Sequence, residues 1–288
     1  MHVIERRMKQ LGVQLGIWLC FILVTTPAHA RLLVASTQPL YLIAQAVTQD
    51  IEQPHLLIPA NQDGHHLQIK PQDRRILQQS DFVLWVGPEY EAALSSMLTQ
   101  QSNAIALTSL ASIQRLPLRN LDGQPRPNTL DPHLWLAPYN AIFTAHLIAQ
   151  IRGQQYPQDA IRYQANARSF SQKLLEISAK RPPNIKPYWA YHDAYQYLEH
   201  SAGLHMTAAL TSDPELAPTA KRLQQLRQNR PQPTPCIFTE AHASAALIQR
   251  LMPVKQVMID ETMRDAQDFV SGWQQLRNQM RQCVDAPR

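Results

Sequence analysis

Short runs that are apolar at every position alternate along this chain with longer segments of helical spacing. Leu32-Leu33-Val34-Ala35-Ser36 has no wet face and stops at polar residues and Pro39, the pattern of a strand buried on both sides. Residues 40–47 then carry apolar positions at helical spacing, and 54–59 reads as the next strand. Pro71-Gln72-Asp73 opens a short helix that leads into Phe82-Val83-Leu84-Trp85-Val86, a third buried strand stopped by Gly87-Pro88. Residues 89–100 read as a helix and 104–107 as a fourth strand, followed by helices over 140–153 and 159–180, the last ended by Pro182-Pro183. The second half repeats the theme, with strands over 187–191, 206–210, 236–239 and 254–259 and helices over 194–202, 218–229, 244–251 and 266–283.

Regular alternation of this kind predicts an α/β fold with parallel-type sheets, and such sheets hold ligands outside the carboxyl ends of their strands. The pattern divides into an N-terminal lobe at 31–153, a connecting long helix within 154–181 and a C-terminal lobe at 182–288. A helix of about 22 residues spans about 33 Å, enough to act as a stiff strut between two lobes. Residues 113–130 carry three prolines, Gly123 and few apolar positions, and read as a loop.

The first thirty residues change the picture of compartment. Arg6, Arg7 and Lys9 precede an apolar run over 11–24 and then Ala28-His29-Ala30, the layout of a cleavable secretory signal cut after Ala30. Cys20 lies within the apolar run rather than after a lipobox, so it is a signal residue and not a lipid anchor. The net charge of +5 over 288 residues is mild and spread out, without the basic stripe that nucleic-acid binding requires. Cys236 and Cys283 remain after processing, and an even pair in an exported chain predicts one disulfide, pinning the C-terminal helix to a strand.

Candidate chemistry rests on three histidines in distinct contexts: His65 in Asp63-Gly64-His65-His66, His133 in Asp131-Pro132-His133-Leu134-Trp135-Leu136, and His192 in Tyr191-His192-Asp193-Ala194-Tyr195. Each falls just after a strand or beside one, His133 beside a strand expected over 134–136, so two facing lobes would gather them at one cleft. Neutral imidazoles collected from distant parts of a chain suit a borderline divalent ion such as zinc. Asp260 follows the strand at 254–259 and is the candidate fourth ligand, with Glu240 a weaker one. His55, His146, His200, His205 and His242 read as ordinary solvated or structural histidines.

Residues 59–91, with His65, Lys70-Pro71-Gln72-Asp73 and Phe82 to Glu91, resemble the first metal-site segment of the zinc-uptake solute-binding proteins of ABC transporters. Pro132-His133-Leu134-Trp135-Leu136 and His192-Asp193-Ala194-Tyr195-Gln196-Tyr197-Leu198-Glu199 resemble that family's second and third ligand motifs, and the likeness runs from about Leu33 to Cys283. The resemblance implies two α/β lobes bridged by one long helix, with Zn²⁺ held between them by His65, His133 and His192. It places Asp260 where manganese- and some zinc-binding relatives have an aspartate. It further implies a monomeric periplasmic carrier, not an enzyme, which delivers zinc to a membrane permease. Two departures stand out. Residues 113–130 contain no histidine and Asp122 as the sole acid, unlike the histidine-rich loop of many members, and His66 adds an imidazole expected at the rim. The rival readings are a manganese or iron carrier of the same class, whose relatives tend to replace the third histidine by glutamate, and a secreted zinc hydrolase, for which no His-Glu-x-x-His helix is present.

Overall fold

The computed structural model describes residues 31–60, 62, 64–65, 67–180, 182–240 and 243–285, so the signal segment, Asp63, His66 and His242 lie outside the described residues. The first half is built from strands β1 (Leu33–Ala35), β2 (His55–Leu56), β3 (Phe82–Trp85) and β4 (Ala104–Ala106), with helices α1 (Gln38–Thr48), α2 (Pro71–Gln79) and α3 (Ser95–Leu98). The second half uses β5 (Lys186–Ala190), β6 (Leu204–Ala209), β7 (Cys236–Thr239) and β8 (Lys255–Met258), with α6 (Gln196–Ala202), α7 (Ala220–Gln228), α8 (Ala245–Gln249) and α9 (Phe269–Asp285). Between them run α4 (Pro138–Gln155) and the long α5 (Ala160–Ser178).

Both sheets are wholly parallel and share one topology, β2-β1-β3-β4 and β6-β5-β7-β8. In each, the chain reverses its direction of winding between the two central strands, which opens a crevice at their carboxyl ends. Those ends set the positions of Ser36 and Val86 in the first sheet and of Tyr191 and Glu240 in the second. The apolar runs behave as their pattern requires, since every residue of β1, β3 and β7 is buried.

Helix α5 covers 19 residues, about 28 Å at 1.5 Å per residue. It packs against α4 and α1 and also against α9 of the second half. One hydrophobic cluster runs without a break from Leu33 and Leu84 through Phe170 and Leu174 to Phe269 and Met280, so the two sheets share a core under the long helices. The Trp273 indole adds a polar tie, donating to the Leu136 carbonyl at 2.9 Å. A disulfide joins Cys236 at the start of β7 to Cys283 on α9, with their Cα atoms 5.9 Å apart.

Several segments differ from the sequence expectation. Residues 134–136 form a 3-10 turn, not a strand, because Pro132 and Asp131 fold the chain back on itself just before it. The helix expected over 89–100 reduces to a 3-10 turn at Ala92–Leu94 and the four residues of α3. The strand expected over 54–59 is regular only at His55 and Leu56, although the Leu57 and Ile58 N–H groups still donate to the Ala35 and Ser36 carbonyls at 2.9 Å. Residues 113–130 are not a loose loop: Arg119 and Pro125 pair as a small antiparallel bridge around Gly123, whose φ is +80°.

Candidate metal centre

The register of the second sheet places His192 beside Glu240. Ala190 lies opposite Phe238 in the parallel pair β5 and β7, and two residues further along both strands the side chains meet: His192 Nδ1 bonds Glu240 Oε1. His192 is buried, 4% exposed. His133 is held by a shorter device. The fully buried Asp131 accepts from the His133 backbone N–H at 3.1 Å and bonds its Nδ1 at 2.8 Å, both through Oδ1.

Each imidazole thus has one nitrogen committed to a carboxylate, which fixes the ring and leaves the other nitrogen as a basic donor. His133 Nε2 and His192 Nε2 are both buried and have no hydrogen-bond partner among the described residues. Buried polar atoms are normally satisfied, and two bare imidazole nitrogens in one pocket are the signature of a site that takes a cation. The ring centroids are 5.5 Å apart. A carboxylate oxygen of buried Glu261 completes a group in which one donor atom from each of His133, His192 and Glu261 lies within 4.8 Å of the others. Ligand atoms around tetrahedral zinc sit about 3.3 Å apart, so the donors would have to draw together by up to about 1.5 Å to close on an ion.

His65 stands on the other wall. It is half-buried, its ring centroid is 5.8 Å from that of His133, and it meets Tyr90 edge-on at 4.4 Å. Gly64 permits this contact, since a Cβ there would lie 2.3 Å from the Tyr90 ring. Tyr90 is in turn seated by its neighbour Glu91, a fully buried carboxyl that accepts from Ser36 Oγ and, at 2.9 Å, from the Gly87 amide. Burial raises the Glu91 pKa to about 7 against those hydrogen bonds. All three histidines line one cavity of about 950 Å³, together with Arg115, Pro117, Thr129 and Asp193.

Asp260, the expected fourth ligand, is not in this group. Its Oδ1 accepts from the Thr262 backbone and hydroxyl, and its Oδ2 from the Arg264 backbone N–H at 3.0 Å, so it caps the turn after β8. The next residue, Glu261, turns inward instead. Its carbonyl accepts from Trp135 Nε1 at 2.9 Å, which anchors it across the cleft. Sequence reasoning missed Glu261, and the signal for it was its place beside Asp260 in an acidic pair directly after a strand.

The electrostatics follow from burial and crowding of charge. Burial alone would push the His192 imidazole down, but the charge and hydrogen bond of Glu240 outweigh it and hold its pKa at about 9. Burial raises the Glu261 carboxyl, repulsion from Glu240 adds to this, and His192 and His133 oppose it. Without an ion the pocket therefore keeps protons that a divalent cation would have to displace.

Residues 33–283 match the family described as zinc-uptake complex component A, periplasmic. The high-affinity zinc uptake system protein ZnuA of Yersinia pestis is 29% identical over 287 residues, covering 87% of this chain and 90% of that protein. Among solved structures, a Zn(II)-bound mutant variant of AdcAII from Streptococcus pneumoniae superposes with a TM-score of 0.73 at 20% identity, over 90% of this chain and 100% of that one. The Mn²⁺ complex of FpvC from Pseudomonas aeruginosa reaches 0.72 at 18% identity, over 88% and 98%. The fold is thus shared by proteins solved with different metals.

Proposed function

This chain belongs to the periplasmic zinc-uptake component A family, and on that premise we propose that it captures Zn²⁺ in the periplasm and hands it to the permease of an ABC transporter. His133 and His192 ligate the ion through Nε2, His65 closes on it from the facing wall, and Glu261, not Asp260, supplies the oxygen. The observation that carries this reading is the pair of buried Nε2 atoms with no hydrogen-bond partner among the described residues, each on a ring whose Nδ1 is held by a carboxylate.

Three nitrogens and one carboxylate favour zinc over manganese, which prefers more oxygen ligands. The hydrolase alternative loses support from Asp193. As an acid beside a ligand it would be a candidate base, yet both its oxygens are bound by Arg119. Export by cleavage after Ala30 fits the same reading.

Titration of the chelator-stripped protein with Zn²⁺ against a chromophoric chelator tests it, with Mn²⁺ as competitor. One tight zinc per chain, displaced poorly by manganese, is the expected result; absence of a tight zinc site would overturn the proposal.

A further inference from the structure

Residues 113–130 have the position of a loop and the bonding of a built part. Arg119 reaches from this segment into the second half with its side chain only 6% exposed. Its Nε and Nη2 donate to both oxygens of Asp193, at 2.8 and 2.6 Å, and its Nη1 lies 2.9 Å from Glu199 Oε1. This planar fork fixes the backbone immediately after His192.

Two further bonds hold the same stretch. Gln196 Nε2 donates to the Pro117 carbonyl at 2.9 Å, and the Leu116 N–H donates to the Tyr197 hydroxyl at 2.9 Å. The amide of Gln196 also donates to Oδ2 of Asp131, the carboxylate that orients His133, and the hydroxyl of Tyr197 donates to the Asp131 backbone carbonyl. The tip is fastened as well. The Leu121 carbonyl accepts from the Ala209 N–H at 2.8 Å on edge strand β6, and Arg222 grips both Leu121 and Asp122. Residues 115–118 and 128–130 form one wall of the cavity that holds the histidines.

We propose that segment 113–130 is a strap locking the two halves around the cargo, and that Arg119 is a positioning residue that fixes His192 through Asp193. The proposal rests on the zinc-carrier reading. With the fork intact, the loop bearing His192 cannot swing away from His133, so the strap governs how fast the ion leaves.

The test measures zinc affinity and dissociation rate for Arg119→Gln, Arg119→Lys, Asp193→Asn and the double variant Arg119→Gln/Asp193→Asn. Arg152, also buried and bound to Glu52, lies outside the cavity lining and serves as control through Arg152→Gln. Arg119→Gln and Asp193→Asn should each release zinc about tenfold faster, in line with loss of an outer partner of a ligand. The double variant should be no worse than either single one. Arg119→Lys should recover only part of the loss, because it keeps the charge without the fork. Arg152→Gln should lower Tm and leave the zinc rates alone. Should Arg119→Gln not fold, the lysine and Asp193 variants carry the same comparison. Unchanged zinc rates in the folded variants, or an equal loss in Arg152→Gln, would overturn the strap while leaving the carrier reading intact. An unaltered chain that binds no zinc would overturn both.

Discussion

The two walls of the metal centre are built to different standards. His133 and His192 are buried, each with a carboxylate on Nδ1, and both rings are fixed before any ion arrives. His65 is half-buried on the turn after Gly64 and rests against the ring of Tyr90. The difference teaches how one site can be both selective and reversible. On the proposed reading, the fixed pair would define which ion fits, and the less buried wall would close over it and open again.

Removing a member of the fixed pair should therefore do the most damage. Zinc held by four ligands gains about 10–16 kcal/mol, roughly 3 kcal/mol for each, so His133→Ala or His192→Ala should weaken binding by about 100-fold or more in chelator competition. An equal effect from His65→Ala would erase the contrast between the walls.

Next come the carboxylates behind the pair. Asp131→Asn and Glu240→Gln should each cost about 10- to 100-fold in affinity. Glu240→Gln should also change the pH profile. The folded pKa of His192, about 9, exceeds its unfolded value of about 6.5, so the metal-free protein draws stability from this proton below pH 6.5 and loses it as pH rises through 9. Zinc must displace that proton, so affinity climbs with pH up to about 9 in the unaltered protein, and removal of the Glu240 charge should flatten the climb.

His65→Ala should follow with about a tenfold loss, expressed in faster dissociation measured by stopped-flow chelation. The smallest effect on zinc should come from Cys236→Ser/Cys283→Ser. The bridge closes a stretch with a sequence separation of 47 and is worth about 2–4 kcal/mol. Its removal should lower Tm while zinc affinity stays within about twofold. A large affinity loss here would mean that the fixed pair depends on remote bracing.

The sequence announces some of these features better than others. Strands such as Phe82–Trp85 and Cys236–Thr239 are legible because a parallel strand covered on both faces must be apolar throughout. His133 and His192 are legible because both sit in turns next to distinctive residues. Glu261 is not, because in the turn after β8 one residue decides which carboxylate faces inward, and hydrogen bonds from Thr262 and Arg264 settle it for Asp260. The strap is equally hidden. Its prolines and polar residues read as a loop, while its order comes from Asp193, Gln196, Tyr197 and Arg222, all distant in sequence. Residues 134–136 misled for a related reason: an apolar triplet serves a buried 3-10 turn as well as a strand.

Trp135 gives the molecule an optical property. Its indole is 1% exposed, lies 5.4 Å from the His133 ring and donates to the Glu261 carbonyl, so it touches the site from both halves at once. Among the described residues Trp85, Trp189 and Trp273 are the other indoles. In a chain starting at Arg31, which leaves out Trp18, and with those three exchanged for phenylalanine, tryptophan emission would come from this single rigid ring. On the proposed reading, zinc binding to the imidazole beside it would alter its brightness, and the protein would signal its own loading without an added dye.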